Sequence, residues 1–173
     1  QFISRADIED FFGAGALLGP LPEGRTIDSI TIGPSTPTQL LDGGETFDLG
    51  GRTITALHTP GHAPGLLSLL DEENGVLFST DTAYPGPLYA YSDDTDLETY
   101  IRSMTLLAEL APSLRYVHPS HNADLMPAEL LPRMRDALIE VANGKAPDAV
   151  DDRRATYNYD GFGIYGPLTG ERR

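Results

Sequence analysis

The sequence predicts a mixed α/β fold of the α+β class, in which short β-strands precede two amphipathic helices. Short apolar runs separated by Gly-Gly, Pro-Gly and Glu-Asn-Gly fill residues 28–80, a pattern typical of a mostly antiparallel sheet. Residues 93–112 and 127–144 instead carry apolar side chains at helical spacing. With 173 residues the chain is long enough to bury a core, and we predict a single domain over residues 1–173.

The composition excludes several kinds of partner. The chain has 12 Lys and Arg against 26 Asp and Glu, and its net charge of −14 repels phosphate backbones and anionic membranes. We therefore expect neither a nucleic-acid nor a membrane partner. Cysteine is absent, so a metal ion would have to be bound by His, Asp, Glu or water. No secretory signal segment is visible, and we expect a cytoplasmic protein.

A short helix is predicted at the start of the chain, followed by a loop and then by strands. Ser4 is placed as the N-cap with Asp7 three residues later, and Gly13 ends the helix. Residues 14–26 are rich in Gly and Pro and predict the loop. Strands are predicted for "DSITIG", "TQLL", "ETFDLG", "RTITALH", "GLLSLLD" and "GVLFSTD". Hairpin turns are predicted at Gly43-Gly44, Gly50-Gly51 and Glu73-Asn74-Gly75.

Two helices with a short strand between them follow. Thr95 and Glu98 are placed to form a capping box at the start of the first helix, and Pro112 stops it. Its apolar face, predicted to be core rather than a binding surface, consists of Leu97, Ile101, Met104, Ala108 and Ala111. "LRYVHPSHN" predicts a strand running into a loop, and Gly144 closes the second helix. An edge strand is predicted in the aromatic tail at Tyr157, Tyr159 and Phe162.

Three predicted strands end at side chains that can bind a metal ion. "RTITALHTPGH" ends at His62, "GVLFSTD" at Asp81 and "LRYVHPSH" at His121. Sites are usually built from loops at one edge of a sheet, and two imidazoles with a carboxylate suit Zn²⁺ or another borderline divalent ion. Each residue also has a purely structural interpretation, because a histidine at a strand end is more often solvated or hydrogen-bonded than a ligand. Asp81 could equally cap a turn.

Two further histidines are predicted to support these strand ends. His58 is in phase with Ile54 and Ala56, so we expect it to pack beneath the site and to donate a hydrogen bond that orients the following turn. His118 precedes Pro119 at a strand end and is assigned the same supporting role.

The loop after Asp81 and the residue after His121 are candidates for the substrate pocket. Tyr84, Tyr89 and Tyr91 either line that pocket or pack the loop against the following helix. Asn122 is counted with Tyr84 as a residue of the pocket or of the layer that supports the metal ligands.

These motifs together resemble the metallo-β-lactamase fold hydrolases. The run "LLDGGETFDLGGRTITALHTPGHAPGLLSLLDEENGVLFSTDTAY" is similar to that family's sequence from its paired strands through a "TPGH" turn to a "GDT" loop. "VHPSHN" is similar to its "PGHN" turn, and the resemblance covers residues 40–125. Thr80 and Ser120 stand where the family usually has glycine.

The resemblance implies a four-layer αββα sandwich that is incomplete at its N-terminus, with this chain as its C-terminal portion. It also implies a dinuclear metal site of two Zn²⁺ ions, with iron or manganese as alternatives. In that site His62 would be the third histidine of the first metal position. Asp81 would be the carboxylate that bridges both metals, and His121 would be the histidine of the second position.

The family's His-x-His-x-Asp-His motif is absent, since residues 1–57 contain no histidine, and the first methionine is Met104. We therefore expect the chain to be part of a longer protein and to hold about half of the metal site. Alone it would expose roughly several hundred Å² of apolar sheet surface. We expect it to associate with its missing segment or with a second copy, and to be inactive by itself.

The function implied by the resemblance is metal-dependent hydrolysis of an ester, thioester or lactone in a small molecule. Two alternatives stay open. One is a non-haem iron oxidoreductase on the same fold, and the other is a catalytically inactive fragment that acts as an interaction module.

Overall fold

The computed structural model describes residues 19–30 and 36–168. The chain divides into two compact units, Gln1–Leu40 and Leu41–Arg173. In the described part of the first unit, a 3-10 turn, Ile27–Ser29, stands where the predicted strand "DSITIG" begins, and the rest of that strand from residue 31 on lies outside the described residues. The helix predicted at Ser4 lies outside the described residues, and the single domain predicted over residues 1–173 stays a prediction.

The second unit contains a five-stranded sheet in the order β1-β2-β3-β4-β6. Its strands are β1 (Thr46–Asp48), β2 (Thr53–His58), β3 (Leu67–Asp71), β4 (Val76–Thr80) and β6 (Tyr116–Pro119). Neighbours from β1 to β4 are antiparallel, whereas β4 and β6 are parallel. This sheet confirms the predicted strands of residues 46–80 and the hairpin turns at Gly50-Gly51 and Glu73-Asn74-Gly75.

Two predictions at the start of this sheet are wrong. "TQLL" is not a strand, because Leu40 is 82% exposed and no burial holds the run in a sheet. Gly43-Gly44 is not a hairpin turn. Its glycines instead let the backbone run close beside β2, where a Cβ at Gly43 would lie 2.9 Å from the Cβ atom of His58.

Two helices follow the sheet, α1 (Leu97–Leu110) and α2 (Leu130–Ala142). The N-cap of α1 is Asp96 rather than the predicted Thr95, because the Asp96 carboxylate accepts a hydrogen bond of 2.7 Å from the Thr99 amide. That bond also holds the pKa of Asp96 below its usual value. A 3-10 turn containing Pro112 ends α1, and Gly144 follows α2 with φ 87°, both as predicted.

A second, four-stranded sheet is built from the loop before α1 and from the tail, in the order β5-β9-β8-β7. Its strands are β5 (Pro87–Tyr89), β7 (Ala149–Val150), β8 (Ala155–Tyr159) and β9 (Phe162–Gly166). The aromatic tail was expected to form an edge strand, and that expectation is wrong. β8 and β9 form an antiparallel hairpin at the centre of the sheet, because β5 pairs in parallel with β9.

One apolar core joins both sheets and both helices of the second unit. Met104 and Leu107 of α1 are fully buried in it, which confirms that the apolar stripe of this helix is core. The remaining fully buried contributors include Leu77, Val117, Leu131, Met134, Leu138 and Ile164. The two-sheet mixed α/β architecture is therefore confirmed. In the described part of the chain, no helix combines the length and the apolar character needed to cross a membrane.

Candidate metal-binding edge of the first sheet

The direction of the strands brings the three predicted ligands to one edge of the first sheet. β2 and β4 are both antiparallel to β3, and β6 is parallel to β4, so β2, β4 and β6 all end at the same edge. Asp81 directly follows β4, His121 lies two residues after β6, and His62 lies in the turn after β2. β2 and β4 are two strand spacings apart, roughly 10 Å, whereas β4 and β6 are neighbours.

Asp81 and His121 are in direct contact at this edge. His121 Nε2 lies 3.1 Å from Asp81 Oδ1, and both side chains are partly exposed. The preceding Thr80 has φ 51°, and Asn122 after His121 has φ 68°. Such left-handed positions turn the backbone sharply, and for a β-branched residue like threonine they are strained. A hydrogen bond of 2.9 Å from the Thr80 hydroxyl to the Leu67 carbonyl holds this conformation.

His62 is held by a backbone carbonyl rather than by the other two residues. Its Nδ1 atom lies 3.1 Å from the carbonyl oxygen of Tyr89. Because a carbonyl can only accept, Nδ1 must carry the proton, which leaves the lone pair on Nε2. Histidines that bind metals characteristically donate their other ring N–H to a carbonyl or carboxylate in this way.

The structure brings together two of the three predicted ligands. Within residues 19–30 and 36–168, no three His, Asp or Glu side chains are close enough together to hold a metal ion. Asp81 and His121 therefore form a ligand pair, while His62 occupies the adjacent turn. Their roles as metal ligands stay predictions.

The two supporting histidines each brace the loop that carries a predicted ligand. His58 Nε2 lies 3.0 Å from the Pro64 carbonyl across the turn, as expected. Its side chain is exposed rather than packed beneath the site, because β2 ends at this residue. His118 Nδ1 lies 2.9 Å from the Asp124 carbonyl, and its ring stacks on Phe78 at 5.3 Å between centroids.

Tyr84 is buried and packs against His121 of the ligand pair. Its hydroxyl donates a hydrogen bond of 2.7 Å to the Pro87 carbonyl, and its ring lies 5.2 Å from the His121 ring between centroids, in a T-shaped contact. Burial raises the pKa of Tyr84 well above its ordinary value, so the phenol stays protonated. The amide of Asn122 packs against Gly86, where a Cβ would overlap it. Tyr84 thus limits the movement of the His121 ring, and its hydroxyl is already engaged with the backbone.

The rings of Tyr89 and Tyr91 pack against Tyr165 of β9. Their rings lie 5.4 Å and 6.3 Å from the ring of Tyr165. The guanidinium of Arg154 stacks on Tyr165 at 3.6 Å from the ring centroid. Tyr89 remains 44% exposed beside His62. It is more exposed than Tyr84 and Tyr91 of the same loop.

The sequence interpretation missed a layer of buried hydroxyl groups beneath this edge. Thr59, Ser68, Ser79 and Thr82 are all fully buried. Ser68 and Ser79 stand at inward positions of the apolar strands β3 and β4, and a count of apolar residues alone does not register them. Thr59 and Thr82 lie just after the ends of β2 and β4, where the strand pattern carries no signal.

Comparisons with known proteins agree with this architecture. The family model of the metallo-beta-lactamase superfamily matches residues 12–139. The chain is 33% identical over 113 residues to the acyl-coenzyme A thioesterase MBLAC2 of Gallus gallus, covering 64% of this chain and 40% of that protein. It is 39% identical over 88 residues to thioesterase pkgB of Emericella nidulans, covering 51% of this chain and 24% of that protein.

A solved structure shows the same fold. The crystal structure of a metallo-beta-lactamase family protein of Thermus thermophilus aligns with a TM-score of 0.50 and 26% identity, covering 84% of this chain and 50% of that one. The chain thus spans about half the length of that structure and less than half the length of the two thioesterases. On the match to the family model, the chain belongs to the metallo-beta-lactamase superfamily.

Proposed function

We propose that the chain is part of a metal-dependent hydrolase that acts on thioesters of small molecules. The observation that carries the proposal is the contact between His121 and Asp81 at the ligand edge of a metallo-β-lactamase fold. Two relatives named as thioesterases support the choice of thioesters over other esters and lactones.

The ligand pair fits a divalent ion in both chemistry and spacing. Two ligands bound at about 2.0–2.1 Å to one tetrahedral zinc ion are about 3.3 Å apart. The distance between His121 Nε2 and Asp81 Oδ1 is 3.1 Å, so one ion could engage both with little movement. His62 offers its Nε2 lone pair from the neighbouring turn.

We propose that Asp81 bridges two ions, with His121 on one and His62 on the other. Zinc is the proposed metal, and iron or manganese would suit the same ligands. The chain has four histidines, and none precedes His58. The remaining ligands are therefore proposed to come from residues outside this chain, and the chain by itself is proposed to be inactive.

The bound ions would supply Lewis-acid activation of the thioester carbonyl and of a water molecule. The residues of this chain hold those ligands in place. The Tyr89 carbonyl fixes the proton of His62 on Nδ1, and the Tyr84 ring limits rotation of His121. The exposed part of Tyr89 provides apolar surface for the acyl group beside the ligands.

Thioester turnover by the full-length protein tests the proposal. Release of free thiol should be measured with an acyl-coenzyme A and with an acyl-N-acetylcysteamine thioester, since the net charge of −14 disfavours the phosphates of coenzyme A. We expect hydrolysis that a chelator abolishes and zinc restores, and no turnover by the 173-residue chain alone. Thioester turnover that survives complete metal removal would contradict the proposal. Oxygen consumption without thiol release would favour the iron oxidoreductase instead.

The face of the first sheet that lies away from the helices is proposed to be covered in the working protein. Leu70, Leu77 and Val117 project into the core, whereas the alternating residues Phe78 and Tyr116 are 37% and 52% exposed. An apolar face of this kind commonly marks an interface. For the isolated chain, the occupant we propose is a second copy.

Gel filtration of the isolated chain tests this coverage. We expect the wild-type chain to elute as a dimer and Phe78→Glu to elute as a folded monomer. Leu106→Glu is the matched control, because Leu106 is 38% exposed on helix α1 and should leave the dimer intact. A stable wild-type monomer would show that the face needs no partner.

The cytoplasmic location also stays a proposal.

A further inference from the structure

A chain of buried hydroxyl groups connects the loop of His62 to the loop of Asp81. Thr59 Oγ1 lies 2.9 Å from Thr82 Oγ1 and 3.0 Å from Ser68 Oγ, and all three residues are fully buried. Ser68 Oγ in turn donates a hydrogen bond of 3.3 Å to the Ser79 carbonyl. One arrangement uses each proton once: Thr82 donates to Thr59, Thr59 to Ser68, and Ser68 to the carbonyl. Such a directional chain strengthens each of its hydrogen bonds.

The positions of these hydroxyls in the fold connect them to the predicted ligands. Thr59 begins the turn that carries His62, and Thr82 directly follows Asp81. Strand β3 lies between the strands that lead into these two loops, and Ser68 of β3 joins the chain of hydroxyls. The spacing of the two loops therefore depends on side-chain contacts between them, as well as on the backbone pairing of the sheet.

Residues of helix α1 and its N-cap donate hydrogen bonds to backbone carbonyls of both loops. The Tyr100 hydroxyl donates a hydrogen bond of 2.8 Å to the Thr82 carbonyl, and the Ser103 hydroxyl donates one of 2.6 Å to the Pro60 carbonyl. The Asp96 amide donates to the Gly61 carbonyl at 2.9 Å. Tyr100 is fully buried, and burial raises the pKa of its phenol, so the donor stays protonated.

Fold stability alone does not require hydroxyl groups at these positions. Replacing both partners of a buried hydrogen bond by apolar groups of the same shape can be nearly neutral for the free energy of unfolding, whereas removing one partner costs about 1–3 kcal/mol. Valine has nearly the shape of threonine and would fill the same space. Hydrogen bonds differ from apolar contacts because they fix the distance and direction between two groups. Two loops that carry ligands of one metal site must be held at a fixed separation.

We propose that Thr59, Thr82 and Tyr100 are positioning residues that set the separation of His62 and Asp81. They act through the two loops and do not touch substrate. The inference rests on the proposed function only in assigning His62 and Asp81 to a metal. The positional effect itself is a property of the metal-free chain.

The metal-free test uses the four histidines of the chain as reporters. NMR spectra of the ring Cε1–H groups at fixed pH should be compared for wild type, Thr59→Val and Tyr100→Phe. We expect the His62 and His121 signals to shift or broaden in both variants. In Thr59→Ser, which keeps a hydroxyl at residue 59, both signals should stay at their wild-type positions. Tyr157→Phe is the control, because Tyr157 is also a buried tyrosine, 3% exposed, but lies in β8 of the second sheet. If these two signals move no more in Thr59→Val and Tyr100→Phe than in Tyr157→Phe, the inference is overturned.

A second measurement separates this inference from the proposed function. In the full-length protein, Thr59→Val and Tyr100→Phe should weaken zinc affinity by about 10-fold to 100-fold, the usual cost of losing a group that orients metal ligands. Tyr157→Phe should leave zinc affinity unchanged even if it lowers stability. Failure of the wild-type protein to bind zinc would contradict the proposed function, while the NMR comparison would still decide the positional role. Unchanged zinc affinity in both variants would count against that role.

Discussion

Replacing Asp81 with alanine is expected to lower thioester turnover of the full-length protein by about a thousandfold while the protein stays folded. A carboxylate that bridges two ions contributes several kcal/mol to catalysis, and about 4 kcal/mol corresponds to a thousandfold in rate. The cost in folding should be small, because the contact with His121 is partly exposed and even exposed ion pairs contribute at most about 1 kcal/mol.

The measurement for this variant combines kcat/KM, zinc content and the free energy of unfolding. Asp160→Ala is the matched control, because the Asp160 side chain is 99% exposed and meets Arg133 only at 3.9 Å. The control should keep full turnover and full zinc content. Asp81→Asn, which keeps the side-chain shape, should lose turnover like Asp81→Ala. Wild-type turnover and zinc content in both Asp81 variants would remove this residue from the site.

The second large effect is expected for Gly61→Ala, in the turn that carries His62. Gly61 has φ 129°, a backbone conformation that disfavours L side chains. A Cβ atom there would overlap the backbone of Tyr100 at the start of helix α1. Because neither the turn nor the helix backbone can move freely, we expect the free energy of unfolding to fall by about 3 kcal/mol or more.

Urea denaturation of this variant has a control within the same turn. Gly65 has open space around its Cα atom and no left-handed φ, so Gly65→Ala should change stability by less than about 1 kcal/mol. The expected result is a much lower midpoint for Gly61→Ala alone, with an unchanged slope. Equal midpoints for the two variants would mean that the turn does not pack on α1 as described.

Local sequence signals were sufficient to predict most of the first sheet and the edge that carries the candidate site. Period-two apolar runs and glycine-rich turns determine β1 to β4, because both depend on residues close together in the chain. The positions of His62, Asp81 and His121 after the ends of strands predicted that the three would converge, and Asp81 and His121 are in contact. Their contact follows from the parallel pairing of β4 with β6, which places the two strand ends side by side.

The parts that sequence reasoning missed depend on contacts between distant residues. The tail forms central strands because β5 and β9 pair across more than seventy residues, and no local pattern encodes that partner. The Thr59–Thr82 hydroxyl contact and the His62–Tyr89 contact span 23 and 27 residues. The cap of α1 was misassigned for a different reason, since Thr95 and Asp96 are both good caps and only the geometry favours Asp96.

His62, Asp81 and His121 are proposed to bind divalent ions at one edge of the first sheet. Zinc-edge anomalous diffraction from crystals of the full-length protein grown with zinc tests it most directly. We expect one zinc peak within about 2.0–2.2 Å of His121 Nε2 and of an Asp81 oxygen, and a second on His62 Nε2. Zinc bound elsewhere while these three side chains remain uncoordinated would contradict it.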